Sequence, residues 1–454
     1  MNVVFLLPGL ISLYFVSQRK VATAFLSVYL PCLLLLPQQY DLRIPHLPPF
    51  SVAEFALIPL GFVGLFRFIR SGSFALMDVL VFLFVASVGL SEILHEPVRN
   101  DGVLATVNAF VSIALAYIAG RELIEPELRL AAVRNIVILV LVSFIPGFYE
   151  WRMQQDLYAI VGQKLFGLAF QHGTWVQVRN GHGRFAGAFD DAEIAGIIFA
   201  MAFCMNGWLA YLRRTGARVT LGNLVARLEK YHLAGLSLLA CIWMTESRGP
   251  EIALIAGVCV LQIPRIRRVR FVTVVVAGLL LCGYLEVSSY FQSYATAPAY
   301  ISLKDEKSSA AYRLKMDHVY APIAEEGGWT GWSVLGVPHV HGLKSIDDQY
   351  LLVHLAYGRL GYILFLLIVG ENMRVVVARA WQFKNPQDRA FAFSMLATMA
   401  VLWLSVLTVF LGEQLPQIAF LLIGWTQSMK PGMRASSARQ RVTGSRFPRG
   451  EVLS

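Results

Sequence analysis

The chain has 454 residues, of which 56% are hydrophobic and only 15% are charged, and its formal net charge is +10. A soluble domain carries about a quarter charged residues, so this composition excludes an ordinary soluble protein and indicates that lipid covers much of the surface. The five cysteines are an odd number and lie in apolar runs, which argues against a disulfide framework or a zinc site.

Apolar segments that could cross a bilayer follow one another along most of the chain. A transmembrane helix needs about 20 apolar residues, and about 13 segments meet this criterion. They lie near residues 2–16, 21–37, 51–67, 75–94, 103–120, 132–149, 191–211, 232–246, 249–264, 270–287, 350–369, 390–411 and 414–427. We therefore predict an all-α polytopic membrane protein with about 12–13 transmembrane helices.

Two long connectors divide the predicted helices into groups, and long loops are uncommon unless they carry function. The predicted regions are N-terminal transmembrane helices at 1–149, a periplasmic loop at 150–190, central transmembrane helices at 191–287, a large periplasmic loop at 288–348, C-terminal transmembrane helices at 349–427 and a basic, disordered tail at 428–454. The apolar stretch 157–170 is too short to span and is expected to be interfacial or re-entrant. Residues 246–251 contain Gly-Pro and three charges, which predicts a tight hairpin.

The clusters of positive charge lie in alternate connectors. The basic connectors lie at 18–20, 67–70, 121–134, 213–230, 265–270, 374–389 and in the tail after Lys430. Counting the predicted helices in order places all of these connectors on one side, which the positive-inside rule identifies as cytoplasmic. The N-terminus is then periplasmic and the C-terminus cytoplasmic. Because the net charge is explained as a topology signal, no nucleic-acid partner is expected.

Three polar segments on the predicted external side each run directly into a helix. They are residues 183–193 with Arg184, residues 246–249 with Arg248, and the stretch from 313 to 351. The free N–H groups at a helix N-terminus carry partial positive charge and favour a bound anion. Two arginines at two such termini predict a site for phosphate or pyrophosphate, at the level where a polyprenyl-linked headgroup sits.

These segments resemble the motifs of the O-antigen ligase and polymerase superfamily of bacterial envelope glycosyltransferases. The matching residues are Arg184-Phe185-Ala186-Gly187-Ala188-Phe189, then Ser247-Arg248-Gly249, then Asp347-Asp348-Gln349-Tyr350-Leu351 with Gly358 and Gly361, together with Arg313 and Gly336 of the large loop. The family is also similar in its many helices and in a large external loop late in the chain. The resemblance covers most of the chain and implies a multi-pass protein of the bacterial inner membrane.

The resemblance implies inverting glycosyl transfer from undecaprenyl-pyrophosphate-linked oligosaccharide, without a metal ion or other cofactor. The family's arginines hold the pyrophosphate, and this role carries over to Arg184 and Arg248, with Arg313 as a further candidate. Tyr350, in the third motif, is counted with the substrate-binding residues. The expected partners are the lipid-linked oligosaccharide, the lipid bilayer, and a chain-length regulator or other envelope-assembly proteins. The chemistry needs a base for the attacking hydroxyl and cationic groups for the departing pyrophosphate.

Two departures from the family's motifs bear on the choice between polymerase and ligase. Ligases usually place a histidine three residues before the tyrosine, and here that position is Asp347. Members that polymerise exopolysaccharide tend to carry an acidic residue there, and a carboxylate can serve as a base. The family's Asn-Pro-Asn-like segment is replaced by Asp190-Asp191-Ala192. The substitution at Asp347 favours a polymerase over a ligase that acts on lipid A-core.

Asp347 is therefore the first candidate for the catalytic base. His354 lies seven residues later and would share a helix face with Asp347 if the helix began there, so the two could act together. His339 and His341 are the alternative bases in the loop. Structural explanations compete with these roles, because an acid before a helix often caps it and an arginine among acids often pairs with them.

Other functions fit parts of the same pattern. A lipid A-core O-antigen ligase and a protein O-oligosaccharyltransferase of the superfamily use the same donor and differ only in the acceptor. A lipid-linked sugar flippase or transporter would carry charges at mid-helix positions and would show repeat symmetry. A structural subunit of an export complex would not need the arginines. The polar residues of this chain gather at external helix ends, which favours an enzyme.

Overall fold

The computed structural model describes residues 3–42, 48–95, 99–168, 173–179, 181–189, 191–215, 221–266, 268–279, 305–343 and 345–429. Several predictions therefore fall outside the described residues. They concern the tail from residue 430, residues 280–304 at the end of the tenth predicted helix and the start of the large loop, residues 169–170 of the interfacial stretch, and Asp190.

Helices make up most of the described chain. In order they are α1 (Val3–Ser17), α2 (Val21–Leu35), α3 (Val52–Ser71), α4 (Leu76–His95), α5 (Asp101–Leu123), α6 (Arg129–Met153), α7 (Leu157–Val161), α8 (Ala192–Thr215), α9 (Leu221–Met244), α10 (Arg248–Gln262), α11 (Val269–Leu279), α12 (Asp305–Glu326), α13 (Gln349–Gln382), α14 (Pro386–Ser405) and α15 (Leu415–Ser428). The strands form two short antiparallel pairs, β1 (Asp41–Leu42) with β2 (Phe50–Ser51) and β3 (Val178–Arg179) with β4 (His182–Gly183).

Six of the described helices are long and apolar enough to cross a membrane. They are Val52–Ser71, Leu76–His95, Asp101–Leu123, Arg129–Met153, Ala192–Leu212 and Gln349–Gln382. Shorter apolar helices cover Val3–Ser17, Val21–Leu35, Tyr231–Met244 and Val269–Leu279. The predicted all-α fold is confirmed for the described residues, and these helices indicate a membrane protein. The predicted hairpin at 246–251 is also present, because α9 ends at Met244 and α10 begins at Arg248.

The helix α5 packs on α15 in direct backbone contact. Gly120 of α5 faces the carbonyl oxygen of Leu421, and Gly424 of α15 faces the carbonyl oxygen of Tyr117, so that a Cβ atom at either glycine would overlap the opposing backbone. Small residues allow such close approach between helices in membranes, where van der Waals packing replaces the hydrophobic effect as the driving force. The pair α5–α15 therefore forms a rigid part of the bundle.

One end of the helix bundle, which we call the basic end, carries the connectors at 67–75, 121–129 and 382–388. Arg121 Nη2 donates to the carbonyl of Ser73 at 2.5 Å, and Arg129 forms an ion pair with Asp388 at 3.2 Å. Ser428 Oγ donates to the carbonyl of Ile124 at 3.3 Å, which brings the end of α15 to the same place. Three of the connectors that the sequence analysis assigned to one side thus meet here.

The opposite end, which we call the site end, carries the connectors at 36–51, 154–191, 245–247, 327–348 and 406–414. Gln414 Nε2 donates to the carbonyl oxygens of Leu36 at 3.0 Å and Ala188 at 2.8 Å. The guanidinium of Arg184 donates to the carbonyl of Thr245 at 3.0 Å. All three polar segments singled out in the sequence lie at this end.

The helix α13 is broken at Gly358, and the connector from the large loop fills the break. Gly358 has φ 65° and ψ −166°, a conformation that only glycine adopts without strain. The freed backbone groups bond to the connector: Trp332 N donates to Leu355 O and Ser333 N donates to Ala356 O, both at 2.9 Å. Arg359 N donates to the carbonyl of residue 328 at 3.0 Å. Irregular backbone inside a membrane helix is stable only when protein covers it in this way.

Candidate functional site

The turn at 406–414, between α14 and α15, joins the three polar segments. Gln349 N donates to Val406 O at 3.1 Å, and Leu411 N donates to Gln349 Oε1 at 2.6 Å, which ties the turn to the start of α13. Thr408 lies against the start of α10, because a Cβ atom at Gly249 would overlap its Oγ1. The contact between Gln414 and Ala188 completes the junction with the segment before α8. The sequence analysis had assigned no role to this turn.

Arg184 is the buried cation of the site, with only 5% of its surface exposed. The hairpin of β3 and β4 brings the chain back so that Arg184 N donates to Gln177 O at 2.7 Å. The guanidinium then donates from Nε to Thr245 O at 3.0 Å, from Nη2 to Ser247 Oγ at 2.6 Å and from Nη1 to Gln177 Oε1. Burial lowers the pKa of Arg184, and the nearby Glu193 carboxylate opposes this shift. The first and second predicted segments are thus joined through this side chain.

The segment that carries Arg184 is anchored by Glu150, at the end of α6. Its carboxylate oxygen Oε2 accepts from Ala186 N at 2.9 Å and from Gly187 N at 2.7 Å. Glu150 is 1% exposed, so these charge-assisted bonds are shielded from water. Glu150 was not among the residues predicted from the sequence, although an ionisable side chain near the end of an apolar helix is a signal of function or of a buried contact.

Glu193 links two of the predicted arginines. It lies in the first turn of α8, where its Oε1 is 3.7 Å from Arg184 Nη2 and its Oε2 is 4.0 Å from Arg313 Nη2. Both separations are within ion-pair range but longer than a hydrogen bond. One carboxylate therefore bridges two guanidinium groups that come from connectors more than one hundred residues apart. We call Arg184, Glu193 and Arg313 the arginine–glutamate triad.

Arg313 belongs to α12, in the large loop, and reaches the triad across the 406–414 turn. Its Nη2 donates to Thr408 O at 3.2 Å, while its Nε is buried and has no hydrogen-bond partner among the described residues. Besides Glu193, two further carboxylates lie near Arg313. Burial raises the pKa of Asp317, an effect that Arg313 opposes. Burial also raises the pKa of Asp348 to about 6, with a further contribution from Asp317.

Arg248 occupies a different position from the other two arginines. It is the first residue of α10 and its side chain is exposed at the rim of the site end. Its charge acts on Glu251, one turn further along the helix. Arg179, which the sequence analysis did not single out, lies closer to the triad: its Nη1 donates to Glu246 O at 2.8 Å, and its charge acts on Arg184.

Asp347 and His354 do not share one face of a helix, because the helix does not begin at Asp347 as that prediction required. Helix α13 begins at Gln349 and is capped by Asp348, whose Oδ1 accepts from Tyr350 N at 2.7 Å and from Leu351 N at 3.1 Å. Asp347 therefore precedes the helix. Its charge acts on Glu193, so it belongs to the surroundings of the triad.

His354 lies on another side of α13. Its ring stacks on Tyr362 with a centroid separation of 4.9 Å, and its electrostatic neighbours are Glu325 and Arg359. Its Nε2 is buried without a hydrogen-bond partner in the described part of the chain, and the ring makes no hydrogen bond with Asp347 there. The structure therefore brings Asp347 to the triad and leaves His354 apart from it.

Of the remaining predicted residues, two histidines lie at the surface and one tyrosine packs inside the bundle. His339 and His341 are exposed in the connector after α12, and within the described residues neither ring forms a hydrogen bond. Tyr350 points into the bundle, where its ring meets Phe365 edge-on at 5.4 Å and its hydroxyl donates to Trp403 O at 3.4 Å. Its predicted contact with substrate stays a prediction.

Four residues of the site end, Gln154, Ser333, Glu246 and Glu413, adopt a left-handed backbone that residues other than glycine rarely adopt, and the last two lie beside the triad segments. Glu246, in the α9–α10 hairpin, has φ 51°, and Glu413, in the 406–414 turn, has φ 50°. Each such residue costs on the order of 1–3 kcal/mol, and residues of this kind concentrate at functional sites. Glu246 and Glu413 flank the triad segments, which is a second reason, independent of charge, to regard this end as functional.

Comparisons of the chain with protein-family models, with curated proteins and with solved structures found no match.

Proposed function

We propose that this chain is a membrane glycosyltransferase that uses undecaprenyl-pyrophosphate-linked oligosaccharide as donor, and that it polymerises this oligosaccharide. The observation that carries the proposal is the arginine–glutamate triad: Arg184 and Arg313 lie on either side of one carboxylate, at 3.7 and 4.0 Å. Two guanidinium groups at that spacing suit the two phosphates of a pyrophosphate, with which arginine forms bidentate hydrogen bonds.

The proposed orientation is supported by the separation of charge between the two ends of the bundle. Arginines of the connectors at 67–70, 121–134 and 374–389 gather at the basic end, as the positive-inside rule requires of a cytoplasmic face. The site end would then face the periplasm, with a periplasmic N-terminus, a cytoplasmic tail and about 12–13 membrane crossings. This orientation puts the triad at the surface where the headgroup of a flipped polyprenyl lipid is exposed.

The chemistry that we propose uses four groups of this chain. Arg184 and Arg313 hold the pyrophosphate and stabilise the negative charge that develops as its bond to the anomeric carbon breaks, with Arg248 at the rim as a further contact. Asp347 accepts the proton of the acceptor hydroxyl while that oxygen forms the new glycosidic bond from the opposite face. The configuration inverts, and undecaprenyl pyrophosphate leaves with its electron pair.

Glu193 has to leave the arginines when the donor binds. The carboxylate and the pyrophosphate are both anions, so they compete for the same two guanidinium groups. The contacts of Glu193 are longer than hydrogen bonds, and its side chain is 23% exposed, so its displacement disrupts no short bond. The carboxylate thus acts as an internal substitute for the donor in the unliganded protein.

The test is transfer by purified protein in detergent, with undecaprenyl-pyrophosphate oligosaccharide as the only glycan. Wild type is expected to extend the glycan into a ladder, while Arg184→Gln, Arg313→Gln and Asp347→Asn are expected to lose the ladder. Arg359→Gln is the matched control, because Arg359 is an exposed arginine paired with Glu325 at 2.5 Å, away from the triad.

The same assay separates the alternatives by their products. Transfer that occurs only when lipid A-core is added identifies a ligase, and transfer to a serine-containing peptide identifies a protein O-oligosaccharyltransferase. If wild type transfers nothing but moves labelled lipid-linked sugar across liposomes, the chain is a transporter and the proposal is wrong.

A further inference from the structure

We infer that a cavity beside the triad binds a hydroxyl-rich sugar, which would be the acceptor of the reaction; this rests on the proposed function. The cavity has a volume of about 330 Å³ and lies between α4, α5, α13 and α15. Residues Val334 and Leu335 of the connector and Leu411 of the 406–414 turn close it at the site end. A volume of this size accommodates one or two sugar rings, within the range of small-molecule sites.

The cavity carries polar groups that suit hydroxyls and do not suit phosphate. Its polar lining consists of Glu92, Asp101, Asn108, Ser112 and Gln349, and none of the described lining residues is a cation. Carboxylate and amide oxygens accept hydrogen bonds from sugar hydroxyls, whereas two carboxylates repel an anionic headgroup. The triad has the opposite character, with two arginines. The two neighbouring sites therefore discriminate a pyrophosphate donor from an uncharged acceptor.

Two of these polar groups keep bonding capacity for a ligand. Asn108 lines the cavity, and its amide oxygen Oδ1 is buried without a hydrogen-bond partner among the described residues. Gln349 accepts from Leu411 N at 2.6 Å through Oε1, which fixes the side chain and leaves its NH₂ group to donate. A buried amide oxygen without a partner is unfavourable, so a ligand hydroxyl that bonds to it would remove this penalty.

Glu92 shapes the cavity rather than offering a free carboxylate. Its Oε1 accepts from Val334 N at 3.1 Å, and it is 3% exposed. The neighbouring Ser91 donates to Ala356 O at 2.6 Å, in the α13 segment before the break at Gly358. These bonds hold the connector over the cavity. The aromatic rings of Phe84, Tyr357 and Phe365 form the deeper wall, as apolar surfaces do in sites that bind sugar rings.

The wall that α5 contributes is distorted at the same place. Residues Phe110–Leu115 form a π-helical stretch, and Ser112 and Ile113 of this stretch line the cavity. Such stretches are rare and occur frequently at functional sites, because the extra residue changes the direction of the side chains around it. The break of α13 at Gly358, next to Tyr357, is a second distortion against the same cavity.

The cavity is connected to the triad by Gln349 and the 406–414 turn. Gln349 lines the cavity and follows Asp347 and Asp348 directly, so the proposed base and the cavity wall belong to one short stretch of chain. The 406–414 turn, which holds Gln349, also contacts the triad, because the carbonyl oxygen of Thr408 accepts a hydrogen bond from Arg313. A transferase has to bring donor and acceptor together, and this stretch is common to both sites.

Binding of free sugars tests the inference without depending on transfer. The probes are methyl glycosides of glucose, galactose, mannose, rhamnose and N-acetylglucosamine, added singly to purified full-length protein in a detergent without a sugar headgroup. Binding is measured by saturation-transfer NMR. Ala105→Phe fills the cavity from α5, and Val107→Phe is the matched control, because Val107 is on the same helix but is 40% exposed on its outer surface.

We expect at least one glycoside to bind wild type and Val107→Phe, and Ala105→Phe to bind it about tenfold more weakly or not at all. Asn108→Leu, which keeps the volume but removes the amide, is a second variant and should also weaken binding about tenfold. Inorganic pyrophosphate should bind all four proteins equally. The inference is wrong if wild type binds none of the glycosides, or if Ala105→Phe and Asn108→Leu both bind like wild type.

Sugar binding in the cavity and glycosyl transfer from the lipid donor can fail independently of each other. If glycosides bind as expected but wild type transfers no sugar from the lipid donor, the glycosyltransferase proposal fails and the sugar site stands. If wild type transfers sugar and the cavity variants keep their acceptor KM, the transferase stands and the acceptor site is wrong.

Discussion

The two ends of the bundle use the same residue types in different ways. At the basic end, each of two arginines has its own carboxylate and lies over an aromatic ring: Arg121 contacts Asp78 and covers Phe68 at 4.7 Å, and Arg129 pairs with Asp388 at 3.2 Å. At the site end, Arg184 and Arg313 share the single carboxylate of Glu193 at longer distances, and no cation–π contact with either is present among the described residues.

This difference distinguishes a structural arginine from an arginine that can bind a ligand. A guanidinium in direct contact with its own carboxylate and with an aromatic ring has its charge matched by that carboxylate and its flat face covered. A guanidinium that shares a carboxylate beyond hydrogen-bond distance can exchange it for a stronger anion. Burial alone does not make the distinction, because Arg129 and Arg184 are 9% and 5% exposed.

The largest expected contrast is between Arg313→Gln and Arg129→Gln. Removal of Arg313 should lower the rate of glycosyl transfer on the order of 10²–10³-fold, because a cation that stabilises developing charge is lost. Removal of Arg129 should leave the rate per folded molecule unchanged and should cost about 1–2 kcal/mol of stability, since Asp388 is 36% exposed and can be solvated. Transfer rates and thermal unfolding of both variants check this. Loss of transfer in well-folded Arg129→Gln would contradict the comparison.

The rigid contact between α5 and α15 should be the next most sensitive feature. Gly424→Leu is expected to cost about 1–3 kcal/mol or more, because the new side chain overlaps the carbonyl of Tyr117 and the helices have to separate. Gly370→Leu in α13 is the control, because a Cβ atom there meets nothing within 4 Å. The measurement is the unfolding temperature in detergent. Equal stability of the two variants would show that the backbone contact is not tight.

Glu193→Gln tests the comparison between the two ends by removing the carboxylate that Arg184 and Arg313 share. Without the carboxylate, inorganic pyrophosphate should bind about tenfold more tightly, because the two guanidinium groups no longer have an anionic competitor. Glu325→Gln, which removes the exposed partner of Arg359, is the control and should leave pyrophosphate binding unchanged. Isothermal titration gives both affinities. Weaker or unchanged binding by Glu193→Gln would mean that Glu193 organises the arginines instead of competing with the ligand.

The smallest expected effect is a dependence of stability on pH at Asp348. Burial raises its pKa from 3.8 to about 6, so the folded protein binds the proton more strongly than the unfolded chain does. The contribution of this group to stability is therefore fully present below about pH 4 and is lost as the pH rises through about 6. Asp348→Asn keeps the helix cap and removes the titration, so its stability relative to wild type should be greater at pH 7.5 than at pH 5.

Thermal unfolding of Asp348→Asn and wild type at those two pH values gives the comparison. The same difference between the two proteins at both pH values would mean that the pKa of this carboxyl is close to its usual value. Asp388→Asn at the basic end serves as a reference for a carboxylate with its own arginine.

Much of the fold was accessible from the sequence because it depends on local properties. Each predicted apolar segment overlaps a helix in the described residues, since a long apolar run can satisfy its backbone groups in lipid only as a helix. The hairpin at 246–251 followed from its proline and charges. The start of α13 agrees with the predicted segment at 350–369, but the condition that the helix begin at Asp347 is not met, because Asp347 and Asp348 are equally good caps by residue type and only the backbone geometry selects Asp348.

By itself, the sequence determined that the chain is helical and apolar, which apolar segments form helices, and which segments carry arginines and acids, whereas the ends of α9, α13 and α14 differ from the predicted bounds by several residues or more. Tertiary structure alone decided which of these residues meet. The contact of Glu193 with Arg313, the role of the 406–414 turn and the separation of Asp347 from His354 depend on how distant helices pack. Such contacts cannot be predicted from local sequence, because they join side chains that are far apart in the chain. They are fixed by the packing of the whole helix bundle.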